Sequence, residues 1–122
     1  MKRHIRLSGK QLIINGKYIN FTEKVSDILV LDSVIIALDF DDKSANKDRL
    51  LNNVYGFDYE GNRIWVIQDI KEFDDSYKST SYVGLFPKDN ETIQVNDYWG
   101  KRFLVDIKTG RIADRDIDGR DW

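Results

Sequence analysis

The sequence predicts an all-β fold: an antiparallel meander of about ten short strands, curled into one sheet or packed as a two-sheet sandwich, with little helix. Three observations carry that expectation. Short β-branched or alternating apolar runs recur along the chain, Gly, Asn and Asp turn signals separate them every few residues, and no segment sustains a 3.6-residue apolar period behind a capping start.

The first twenty residues read as a small meander. Arg3 to Leu7 alternates, Ser8-Gly9-Lys10 turns, and Gln11 to Asn15 meets Asn15-Gly16, the strongest two-residue hairpin signal, before Lys17 to Phe21. Val25 to Leu31 and Val34 to Phe40 follow, joined at Asp32-Ser33. Within the second, Val34-Ile35-Ile36-Ala37-Leu38 has no polar alternation, which marks a central strand buried on both faces. The polar segment Asp41 to Asn52 reads as a surface loop with room for one helical turn.

The chain is organised around Asn53 to Gln68, a β-hairpin with an aromatic face. Tyr55, Phe57 and Tyr59 fall on one side of its first arm and Trp65 and Ile67 on one side of its second. Asp58-Tyr59-Glu60-Gly61 suits a type I turn closed by a left-handed glycine. A polar stretch from Asp69 to Thr80 then precedes strands at Ser81 to Phe86, Thr92 to Tyr98, Arg102 to Ile107 and from Arg111, with turns at Pro87 to Asn90, Trp99-Gly100-Lys101 and Lys108-Thr109-Gly110.

The 122 residues are of the commonest single-domain size, so one domain spanning 1–122 is expected. Nineteen Lys and Arg against 21 Asp and Glu give a formal charge of −2, which offers no basic footprint for nucleic acid or an anionic membrane. No cysteine is present, excluding disulfides, thiolate metal sites and thiol nucleophiles. The residues after the first few are too polar for a secretory signal, and the longest apolar run is far short of a membrane span, so a cytosolic protein is expected.

Few residues offer chemistry. His4 is the only histidine and sits beside Arg3 in a terminal strand, where it reads as a surface residue. Zinc would have to rely on carboxylates and is not expected. Asp114-Arg115-Asp116-Ile117-Asp118-Gly119 matches the first half of a calcium loop, but the Glu of its twelfth position would fall beyond Trp122 and no helix precedes it. A solvated acidic tail is the expectation there. Asp39, Asp41 and Asp42 cluster after the central strand, a pair of which could serve as acid and base in a glycosidase; strand-ending turn chemistry explains them equally. Phosphate loops and Gly-x-Ser-x-Gly are absent, so neither enzyme nor cofactor is expected.

A faint repeat joins the two halves. Ile35 to Asp39 followed by Asp58-Tyr-Glu-Gly61-Asn-Arg-Ile64 is echoed by Tyr82 to Phe86 followed by Asp106-Ile-Lys-Thr-Gly110-Arg-Ile112, offset by about forty-eight residues, a spacing at which propeller blades repeat. Val54 to Trp65 and Phe103 to Ile112 resemble the blade motif of quinoprotein-type β-propellers. Two such units cannot close a propeller, and Ala113 stands where the second Trp would be, so no quinone cofactor or central channel is implied.

The chain is also similar in style to small immunity proteins of bacterial polymorphic toxin and contact-dependent inhibition systems: short, cysteine-free, aromatic and without a catalytic set. That resemblance implies a non-catalytic protein that binds and neutralises a cognate toxin. The residues suited to such contact are the acids Asp69, Glu72, Asp74 and Asp75, facing the basic groove of a nuclease toxin, and Tyr77, Tyr98 and Trp99 as aromatic anchors. Two alternatives use the same surplus of aromatics and strand edges. A carbohydrate or small-ligand module would stack its ligand on Tyr98 and Trp99, and an assembly subunit would pair exposed edges.

Overall fold

The structure is a computed structural model and describes residues 4–43 and 50–115. Among these residues eleven strands form three antiparallel sheets. The first contains β1 (Ile5–Ser8), β2 (Gln11–Ile14) and β3 (Lys17–Asn20) in that order. The second contains β4 (Val25–Val30), β5 (Ile35–Asp39), β6 (Val54–Phe57) and β7 (Arg63–Val66), again in chain order. The third contains β8 (Tyr82–Pro87), β9 (Thr92–Asp97), β10 (Arg102–Asp106) and β11 (Ile112–Arg115). Every sheet is an up-and-down meander. The all-β expectation therefore holds, with three sheets where one or two were anticipated.

Local chemistry explains the meanders. Asn15 and Gly16 both take positive φ, at 47° and 88°, as the two-residue turn between β2 and β3 requires. Gly61 has φ 84° and donates its N–H to the Asp58 carbonyl at 3.1 Å, closing the β6–β7 turn as its sequence predicts.

The middle sheet supplies one face to each of two cores. Ile35, Ala37 and Phe57 pack with Leu12, Ile14, Phe21 and Val25 on the side of the first sheet. Val34, Ile36, Leu38 and Val54 pack with Leu85, Val95, Phe103 and other residues on the side of the third. All five residues of β5 are buried, so the run from Val34 to Leu38 is the doubly covered central strand its composition indicates.

The Asn53–Gln68 hairpin is real, but its aromatic residues do not share one face. Tyr55 pairs with Val66 and Gly56 with Trp65 across the β6–β7 register. Tyr55 and Phe57 consequently point towards the first sheet, while Trp65 and Ile67 enter the core shared with the third. Two cross-sheet contacts fix this arrangement. The Trp65 indole donates to the Ile107 carbonyl at 2.9 Å. Asn53, fully buried, donates to the Asp39 and Tyr82 carbonyls at 2.9 Å each and accepts from the Tyr82 N–H at 2.7 Å, tying β5 and β6 to β8.

Helix occurs once among the described residues, as the short α1 (Ile70–Phe73), inside the polar stretch from Asp69 to Thr80. Propensity does not make it: Asp69 caps its N-terminus and Ile70 is buried as its anchor. The helical turn for which 41–52 had room falls on a segment of which residues 44–49 lie outside those described.

Candidate functional site

Two loops of the third sheet's end build the site, and each is held by an aspartate. In the first, Asp69 caps α1 by accepting from the Lys71 amide at 2.9 Å, and its other oxygen accepts from Ser79 Oγ at 2.7 Å and Asn52 Nδ2 at 3.2 Å. Partial burial would push this carboxyl's pKa up, but the bonds from Ser79, Lys71 and Asn52 outweigh it and hold the group below its ordinary value. Asp74 accepts from the Ser76 hydroxyl at 2.7 Å and the Ser76 amide at 2.9 Å, bonds that likewise lower its pKa. Tyr77 follows, its ring edge-on to Phe103 with centroids 5.6 Å apart.

In the second loop, Asp97 ends β9 almost fully buried. Its Oδ1 accepts from the amides of Trp99 at 2.9 Å and Lys101 at 2.7 Å, while Gly100, at φ 87°, donates to the Asp97 carbonyl. The turn is thereby locked with Trp99 projecting outwards, 75% exposed, and Tyr98 edge-on against it at 5.2 Å.

Between the loops lies a cleft of about 550 Å3. Tyr77 and Trp99 are its aromatic walls, and the buried Ile70 and Phe103 contribute apolar surface. Its polar groups have both signs: Lys78 and Lys101 bring ammonium groups, Asp97 a carboxylate, and Thr80 a hydroxyl 3.4 Å from Asp97 Oδ2. An amphipathic ligand or a protruding side chain could lie against the rings while its polar atoms meet these groups.

Of the seven residues the sequence nominates, the structure brings Tyr77 and Trp99 to this cleft and sets Tyr98 on Trp99. The four acids fall on α1 and its flanks, next to the cleft residue Ile70. They are not equivalent: Asp69 and Asp74 are engaged in the local hydrogen bonds that shape the loop, whereas Glu72 and Asp75 are exposed beyond it. Phe73 on α1 and Tyr98 against Trp99 are also exposed, at 36% and 44%.

Sequence reasoning missed Asp97, Thr80 and Lys101, although a signal for the first was present. Asp97-Tyr98-Trp99-Gly100 repeats the pattern of Asp58-Tyr59-Glu60-Gly61, and in both turns the Asp Oδ1 accepts from the amides two and four residues on. Tyr82, at the start of β8, is wholly buried, and burial with the nearby Asp97 and Asp69 charges drives its hydroxyl pKa upwards.

The remaining candidates take structural places. Asp39 is buried and accepts from the amides of Thr22, Glu23 and Lys24, and Asp41 accepts from the Lys43 amide. Both are turn chemistry. His4 is exposed, its backbone N–H donating to Asn15 Oδ1. Asp114 is exposed on β11, and the rest of the calcium-like motif, Asp116 and Asp118, lies outside the described residues. Among the described residues no group of three or more His, Cys, Asp or Glu side chains could hold a metal ion, and no helix is long and apolar enough to cross a membrane.

A family model described as a domain of unknown function, DUF7957, matches residues 2–117. The chain belongs to the DUF7957 family. The match takes in all three sheets and both loops of the cleft, so the site lies inside the DUF7957 domain itself. No curated protein and no solved structure matches the chain.

Proposed function

We propose that this DUF7957 chain is a non-catalytic protein-binding module, and in the sharpest form of that reading an immunity protein that neutralises a cognate toxin domain in the cytosol of the cell producing both. One observation carries it. The loops 69–80 and 97–101 converge on one cleft at which Trp99 stands 75% exposed with the exposed Tyr98 edge-on against it. Large exposed aromatics gathered at a cleft are what an interface uses as anchors. Glu72 and Asp75 give the same surface free acidic character suited to a nuclease's basic groove, accelerating encounter in a salt-dependent way.

The test is co-expression with the toxin domain of the neighbouring large secreted protein, followed by affinity capture of the complex. Stoichiometric capture that weakens on Glu72→Gln with Asp75→Asn, and more so at low salt than at high salt, supports the reading. Capture indifferent to both substitutions and to salt removes the acidic contact.

A second reading has its own observation. The cleft's mixture of ammonium, carboxylate and hydroxyl groups beside Trp99 suits a saccharide, whose hydroxyls both donate and accept and whose C–H face stacks on an indole. Trp fluorescence that stays flat across a glycan panel removes that reading and leaves the protein partner.

A further inference from the structure

A second cavity, of about 460 Å3, opens on the opposite side of the middle sheet, between the end of β3 and the β6–β7 hairpin. It is separate from the Trp99 cleft in position and in chemistry. Its apolar surface is aromatic: Phe21 meets Tyr55 edge to face at 5.9 Å and Phe57 at 6.1 Å, and Ile19 adds to it.

Among the described residues two charged side chains, Asp39 and Arg63, line this cavity, and they are not equally available. The Asp39 carboxylate, 2% exposed, accepts three backbone N–H groups, Thr22 at 3.0 Å, Glu23 at 2.8 Å and Lys24 at 3.0 Å, so both of its oxygens are already engaged. Arg63 is exposed on the edge strand β7 with its guanidinium 5.7 Å from the centre of the Tyr55 ring. No carboxylate among the described residues forms an ion pair with it. A guanidinium stacked on a ring keeps its N–H edge available for a bidentate acceptor. Lys17 of β3 lies against the β6–β7 turn, its stem beside Gly61 and its ammonium donating to Asn62 Oδ1 at 3.2 Å. Burial and the Asp39 charge raise the pKa of the Tyr55 hydroxyl despite Arg63, which keeps that group a neutral donor.

We infer that this cavity binds a small aromatic carboxylate, its ring system among Phe21, Tyr55 and Phe57 and its carboxylate on Arg63. The cation and the rings select the pair of features together: an apolar body alone would leave Arg63 unused, and a cationic ligand would meet Arg63 directly.

The test titrates 2-naphthoate, 2-naphthylmethanol and 2-naphthylmethylamine into the full-length chain, followed by amide chemical shifts. Naphthoate is expected to saturate, moving the amides of Phe21, Thr22 and Tyr55, and to bind roughly tenfold more tightly than the alcohol, with the amine weaker still. Arg63→Gln should bring naphthoate to the affinity of the alcohol and leave the alcohol unchanged, whereas Arg63→Lys should retain part of the preference. The inference is overturned by absent saturation, by equal affinity for acid and amine, by an Arg63→Gln chain that still prefers the acid, or by shifts centred on Tyr77 and Trp99. Because Arg63 is exposed, an unchanged circular dichroism spectrum identifies folded variants.

Discussion

The indole of Trp65 donates to the carbonyl of Ile107 at 2.9 Å, a bond that joins the edge strand of the middle sheet to the β10–β11 turn of the third. Two glycines make room for the ring. A Cβ on Gly56 would stand 2.3 Å from it, and one on Gly110 2.5 Å. The indole is a buried wedge on which the packing of two sheets depends.

Trp65→Phe leaves a small cavity and removes the donor to the Ile107 carbonyl, with an expected loss of at least about 1–3 kcal/mol in denaturant unfolding. Gly110→Ala should be worse than the loss of a typical contact, because it combines a positive φ of 74° with the clash. Gly56→Ala, with the clash but no positive φ, should separate the two contributions.

Asn53 holds the same two sheets together by hydrogen bonding alone. Its amide makes three bonds to main-chain groups in a fully buried setting. Asn53→Leu, with the same number and branching of side-chain heavy atoms but no polar group, should cost about 3 kcal/mol or more, since it strands those partners. A much smaller change in unfolding free energy would show that the β5–β8 junction is held by apolar packing.

Asp69 gives a prediction with a sign in pH. Its folded pKa lies below the ordinary carboxylate value, so its stabilisation is complete above that value and disappears as pH falls through the folded one. Asp69→Asn retains a capping oxygen but cannot titrate, and should therefore flatten the stability curve below about pH 4. Asp69→Ala should cost about 1 kcal/mol at neutral pH through loss of the cap. Parallel acid-unfolding curves for wild type and Asp69→Asn would contradict this.

Much of the fold was legible because turn chemistry and strand period are local. Asn15-Gly16, the Asp58–Gly61 turn and the unbroken apolar run in β5 each specify their element without help from the rest of the chain. The three-layer relation was not, because a period-two pattern says which residues share a face and leaves open which sheet covers it. Trp65 illustrates the gap: only pairing opposite Gly56 sends it away from Phe57. In the site, the exposed aromatics Tyr98 and Trp99 were readable from composition and turn position. The partial withdrawal of Asp69 and Asp74 into caps was not, since an aspartate before a short polar segment looks the same whether it caps or faces solvent.

The most direct test of the binding account is Trp99→Ala. At 75% exposure this side chain contributes little to the fold, so thermal unfolding should hardly move. Quantitative capture of the co-expressed toxin domain by wild type and by Trp99→Ala, side by side, then isolates its role. The account predicts a stoichiometric complex with wild type and a loss of at least about 2 kcal/mol in affinity for the variant. Equal capture by both chains, or no toxin-domain complex with wild type, would contradict it.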